Sequence, residues 1–169
     1  MNSDAFDDPR LTAVGLFVEA FSGLIAQLEA VHARHGLSGT EFDTLVRLAR
    51  SPGSRLRMSD LAAQTARSTS GITRVVDRLE QRKLLCRVPV PGDRRSAYAV
   101  LTEAGCERLI ADLPELLGTI EQWFTGVLPP EQLEVFLTAL RCLRDTVNPG
   151  ATTQALEPQE VTAISSITR

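Results

Sequence analysis

Apolar residues recur at Val14, Phe17, Val18, Phe21, Leu24, Ile25, Leu28 and Val31, the spacing of one face of a long helix. Asp8-Pro9 supplies a capping acid and a first-turn proline, and Gly36 stops the helix. Ser38-Gly39-Thr40-Glu41 has the form of a capping box. The helix it opens buries Phe42, Leu45 and Leu48 and ends at Ser51-Pro52-Gly53. A short helix is predicted from Ser59, with Leu61, Ala62 and Ala66 as its packing face. Ser68 caps the next helix, in which Ile72, Val75, Val76 and Leu79 fall at inward-facing intervals. On another face of that helix Ser70, Thr73, Arg74 and Asp77 repeat the same spacing.

The period then changes. Residues 84–90 and 96–101 read as two strands around Pro91-Gly92-Asp93-Arg94. Thr102 caps a long helix through Leu109, Leu113, Leu116, Leu117, Ile120, Phe124 and Val127, and Pro114 is expected to kink or interrupt it near Leu113. Pro129-Pro130 starts a last helix carrying Leu133, Phe136, Leu137, Leu140, Leu143 and Val147, closed by Asn148-Pro149-Gly150. The pattern divides the chain into a flexible N-terminus (1–10), a folded domain (11–147) and a flexible tail (148–169). The first and last helices carry more apolar surface than a small module covers. A second copy of the chain, packed isologously, is the simplest cover; an intramolecular three-helix bundle is the alternative.

Charge changes the picture. The chain carries a net −3, with 43% hydrophobic residues. Residues 55–95 hold ten Lys or Arg against four acids, a net +6, and the remainder carries −9. A basic module on an acidic body is a footprint for a polyanion. No uninterrupted apolar run approaches the ~20 residues that span a bilayer, and the acidic start is wrong for a signal peptide. A cytoplasmic protein without membrane attachment is therefore expected. The three cysteines, Cys86, Cys106 and Cys142, are widely spaced and form no Cys-x-x-Cys pair. They read as reduced, small, buried apolar residues.

The layout from Met58 to Thr102 is that of a winged helix-turn-helix. The run Ser70-Gly71-Ile72-Thr73-Arg74-Val75-Val76-Asp77-Arg78-Leu79-Glu80, then Asp93-Arg94-Arg95, then Leu101-Thr102-Glu103-Ala104-Gly105 resembles the MarR family of bacterial transcriptional regulators over about residues 11–147. The resemblance implies a mainly α fold with a small β-hairpin wing. It places the DNA-binding module at about 38–102 and dimerisation helices at 11–35 and 103–147. It also implies a homodimer that presents two modules to a pseudo-palindromic operator, and release from DNA by a small phenolic or other lipophilic effector. Two departures stand out. Lys83 occupies a position where the family often has glycine, so the recognition helix is expected to end differently. No cysteine precedes Cys86, which counts against the redox-sensing members.

Arg74 and Arg78 are the leading candidates for guanine or phosphate contact; the competing role is pairing with Asp77 or Glu80. Ser70 and Thr73 are short enough to let the helix sit deep in a groove. Ser68 and Thr69 lie at its N-terminus, where backbone N–H groups favour phosphate. Arg95 is the candidate for the minor groove. The family pattern assigns Asp93 to holding Arg95, with Arg94 at the tip against phosphate. His32 and His35 share a helix face near Glu29, but two histidines without cysteine nearby are a thin ligand set. Trp123, Phe124 and Phe17 read as core or as lining of an effector pocket. No cofactor or metal is expected. The leading function is a dimeric repressor acting on double-stranded DNA. The alternative is a winged-helix protein-interaction module without DNA affinity. An enzyme ranks last, since no nucleophile–base ordering, phosphate loop or paired carboxylates are present.

Overall fold

The computed structural model describes residues 6–152. Helix α1 (Pro9–Arg34) starts at the cap Asp8, whose side chain accepts from the Arg10 N–H. It ends at His35, with Gly36 at φ 64° and Leu37 N–H bonded to the His32 carbonyl, the left-handed cap that glycine favours. Helix α2 (Gly39–Ala49) opens on the predicted capping box, with both Ser38–Glu41 bonds formed. Strand β1 (Arg55–Arg57) leads straight into α3 (Met58–Gln64), and α4 (Thr69–Gln81) follows a turn in which Ala66 has φ 50°. Ala66 is exposed in that turn. It is not part of the α3 packing face as expected; Leu61 and Ala62 form that face alone.

Strands β2 (Leu85–Val90) and β3 (Asp93–Leu101) form the hairpin, and β1 pairs with the far side of β3, giving an antiparallel sheet in the order β1-β3-β2. The third strand was not foreseen. It has three residues, too few for a period-2 pattern to register. The hairpin tip also differs from expectation. Only Pro91 and Gly92 (φ 81°) make the turn, and Asp93, Arg94 and Arg95 already belong to β3. Register jumps there: Pro89 faces Ala97 but Val90 faces Asp93. Arg94, Arg95 and Ser96 are thus left out of the ladder, as in a bulge that re-aims part of a strand.

Helix α5 (Glu103–Ile120) begins at the cap Thr102 and runs unbroken through Pro114. The expected interruption near Leu113 does not occur. A proline deletes one backbone bond, and here Leu109 and Leu116 on either side are buried in the core and hold the helix together. The irregularity falls later, in a π-helical stretch Glu121–Thr125. Gly105 lies so close to the residue before β2 that a Cβ would collide with the Leu84 carbonyl. Helix α6 (Pro130–Val147) is followed by a 3-10 turn, Pro149–Thr152, in which Gly150 sits against Ala63 of α3. The start of the predicted tail is therefore packed. Residues 153–169, and 1–5 of the predicted flexible N-terminus, lie outside the described residues.

The core belongs to the module. Leu45 and Leu48 of α2, Leu61 of α3, Ile72, Val76 and Leu79 of α4 and Leu85 of β2 are essentially inaccessible, and Val31 joins them from the end of α1. Each such side chain stabilises the fold by ~1.5–3 kcal/mol relative to exposure. The rest of α1 is different. Val14, Phe17, Val18, Phe21 and Ile25 are exposed, as are Leu117 and Trp123 after it in the chain and Val135, Phe136 and Leu143 of α6. Among the described residues helix α6 buries none of its side chains, so these residues do not close the three long helices into an intramolecular bundle. By length and composition α1 is also apolar enough to cross a bilayer. The expectation from uninterrupted runs missed this because single polar residues such as Glu19 break the run without making the helix polar. Phe124 meets Phe136 edge-on, with centroids 6.2 Å apart. The cysteines are free and exposed, not buried as expected; each falls on an outer face of its element.

Lys83 takes φ 60° just past α4, and its N–H and that of Leu84 bond to the Glu80 and Leu79 carbonyls. The helix ends in the left-handed cap after all, with lysine held where glycine is at ease. Two things hold it: the buried Leu84 next door, and the Thr102 hydroxyl, which donates to the Lys83 carbonyl at 2.7 Å. Lys83→Gly is expected to raise stability by ~1 kcal/mol, since the left-handed region costs roughly that for a residue with a Cβ. Urea denaturation of the two proteins measures it.

Candidate nucleic-acid interface

Helix α4 presents two surfaces because its sequence carries two stripes. Ile72, Val75, Val76 and Leu79 are buried, which fixes the helix rotation about its axis. Ser68, Thr69, Ser70, Arg74 and Arg78 are consequently exposed, with Thr73 and Asp77 at the margin. The Ser68 hydroxyl accepts from the Gly71 N–H at 3.1 Å and lies 3.2 Å from that of Ser70. The Thr73 hydroxyl donates to the Thr69 carbonyl at 2.7 Å. Of the predicted residues, Ser70, Thr73 and Arg74 therefore share one outward face at the start of the helix. Arg74 makes no ion pair among the described residues.

Arg78 is placed otherwise. Its Nε donates to Glu41 of α2 at 2.9 Å, with the side chain still about half exposed. Its partner is thus neither Asp77 nor Glu80, the two neighbours weighed from sequence. Burial alone would push the Glu41 carboxyl up, but the Ser38 N–H and the Arg78 guanidinium outweigh it and hold it below the usual carboxylate range. One carboxylate thus caps α2 and anchors α4. Arg67, in the turn before α4, adds a second tie by donating to the Thr40 hydroxyl at 2.6 Å.

The acids of α4 are taken up by Arg87 of β2. Its Nη2 donates to Asp77 and its Nη1 to Glu80, both at 2.6 Å, and its own N–H donates to Glu80 at 2.9 Å. This clamp does two jobs. It joins the wing to the recognition helix with charge-assisted bonds, and it neutralises the two carboxylates that would repel a phosphate backbone. Sequence reasoning missed Arg87. The signal was present: Leu85 and Arg87 alternate onto the inward face of β2, and a cation at an inward strand position needs partners. Arg87→Ala is expected to cost ~1 kcal/mol of stability, each exposed ion pair being worth a fraction of that. It is also expected to weaken duplex binding through the freed acids. Thermal unfolding and fluorescence anisotropy read the two effects separately.

Asp93, Arg94 and Arg95 stand together at the wing end of β3, beyond the jump in register. The two histidines have structural partners. His32 is buried against Phe42, with ring centroids 4.7 Å apart, and burial lowers its pKa. His35 lies between Asp112 Oδ1 (2.9 Å) and Glu115 Oε2 (2.6 Å). Glu115 also receives Arg34, and that cation, followed by His35, holds its carboxyl below the usual range. The group ties the end of α1 to α5, where the long helices join the module.

A helix-turn-helix with a wing, its second helix offering hydroxyls and an arginine to solvent, defines a winged-helix DNA-binding fold. Comparison with known proteins agrees. Residues 35–96 match the MarR family. The regulator MhqR of Bacillus subtilis is 33% identical over 108 residues, spanning 64% of this chain and 72% of MhqR. AbsC, a MarR family transcriptional regulator from Streptomyces coelicolor, superposes with a TM-score of 0.77 at 33% identity, over 83% of this chain and 95% of AbsC. Sco3205 from the same organism, solved in complex with DNA, gives 0.77 at 29% identity, over 82% and 87%. The chain belongs to the MarR family of transcriptional regulators.

Proposed function

We propose that this protein is a cytoplasmic homodimeric repressor that binds a pseudo-palindromic operator and is released by a small lipophilic or phenolic ligand. The outward face of α4 carries the reading. Arg74 is exposed there without an acidic partner among the described residues, Ser70 and Thr73 flank it, and Arg87 holds the nearby acids. Arginine in that position offers two parallel N–H donors to guanine O6 and N7. Arg78, fixed by Glu41 and half exposed, serves as a phosphate contact, as do Ser68 and Thr69 at the helix N-terminus. Arg95 takes the minor groove, Asp93 orients it, and Arg94 meets the backbone. Sco3205, a similar chain, was solved in complex with DNA, which supports duplex binding as the function of this fold.

The uncovered side chains of α1 and α6 supply the dimer. Two symmetric copies place each apolar face against its equivalent, which closes the assembly and prevents filaments. Two modules must then match half-sites one turn apart, ~34–36 Å. The helices that would set this spacing expose hydrocarbon and aromatic groups, which favour a lipophilic effector over a charged one. Such a ligand lowers operator affinity only to the extent that it binds the mismatched dimer better. Coupling is reciprocal, so calorimetry should give a weaker ligand Kd with operator present than without it. Equal values would refute release by that ligand.

A further inference from the structure

Two arginines of β1 converge on one aromatic ring. The Arg55 guanidinium carbon lies 5.1 Å from the centroid of Tyr98 on β3, and that of Arg57 lies 5.6 Å from it. The register explains the meeting: Arg57 is directly opposite Tyr98, and Arg55 is two residues along on the same face. Leu56, between them, points inward and is buried. Both arginines are exposed, and neither makes an ion pair among the described residues. Two like charges held over one ring repel unless an anion comes to them. The ring attracts cations by its face and keeps the side chains from collapsing onto the module.

Arg57 also lines a notch between the recognition helix and the wing. The notch is bounded by Thr69, Thr73 and Asp77 of α4 and by Ser96 and Arg87 of the sheet. Arg87 is already bonded to Asp77 and Glu80, so among the described lining residues Arg57 is the cation left to bind something else. A duplex that takes α4 in its major groove and the wing tip in the adjacent minor groove passes its sugar–phosphate backbone between the two. That path crosses the notch.

We infer that Arg57, shelved on Tyr98 and supported by Arg55, is a phosphate anchor for the strand that passes between the recognition helix and the wing. The inference rests on the DNA-binding reading above and adds β1 to the interface. The contact is to the backbone, so it carries affinity and no base preference.

The test uses the full-length protein, an operator selected from random duplexes and an unrelated duplex of the same length. Arg57→Gln is expected to weaken binding to both duplexes equally, roughly three- to tenfold at ~0.15 M salt, and to lower the slope of log K against log salt by about one. Arg57→Lys should restore the slope, since it returns the charge. An Arg57→Gln protein with wild-type slope and affinity, while the wild type binds the operator, overturns the anchor and leaves the DNA-binding reading standing. A wild-type protein that binds neither duplex overturns both.

Discussion

Phe21→Asp is expected to convert the protein into a monomer and to lower operator affinity by at least a hundredfold. Phe21 is exposed on α1 and stacks on Phe17, with ring centroids 6.3 Å apart, among the exposed Val14, Val18 and Ile25. Among the described residues both rings stay about half exposed and neither belongs to the module core, so the substitution leaves that core untouched. In a symmetric dimer the change occurs twice. Each copy forfeits the ~1.5–3 kcal/mol of burying a phenylalanine and adds the cost of burying a carboxylate without a partner. Losing the second module removes an avidity gain of roughly 10² to 10⁴. Light scattering behind a sizing column reads the mass, and circular dichroism checks that the helices persist. A variant that stays dimeric and binds operator normally would move the interface off α1.

Arg74→Ala is expected to cost ~1–3 kcal/mol of operator binding and to relax preference at one base position. The burial of Ile72, Val75 and Val76 fixes where Arg74 emerges, so its guanidinium is presented by a rigid helix. Among the described residues it has no acidic partner, unlike Arg78, which is held by Glu41. Replacing Arg78 is expected to act in part through that lost tie, with weaker discrimination between sequences. Binding to mutated operators separates the roles. A uniform loss across all sequences for Arg74→Ala would reassign it to phosphate.

Local chemistry was the readable part of the chain. Asp8-Pro9, the Ser38–Glu41 box, Ser68 and Thr102 each cap the helix they were read to cap, because a cap is decided by residues within one turn. The two faces of α4 were readable for the same reason, from spacing alone. What escaped depended on distant partners. Strand β1 exists because β3 is there to pair with it. Lys83 is forced left-handed by Leu84 and Thr102, and Pro114 is tolerated because both sides of it are packed. Arg78 turned to an acid thirty-seven residues away in sequence, while Arg87 took the acids beside it. Arg57 and Tyr98 looked ordinary until the sheet register put them together. The uncovered faces of α1 and α6 were foreseen from an excess of apolar positions, since a stripe wider than its neighbours can cover is visible in the count.

In the proposed complex two chains jointly present two α4 helices to one duplex. Native mass spectrometry of the protein on an operator selected from random duplexes tests this in a single spectrum. Two chains per duplex are expected, on a sequence with pseudo-twofold symmetry whose half-site centres lie ~10–10.5 base pairs apart or a multiple of that. One chain per duplex, or no sequence enriched even at low salt, would contradict it.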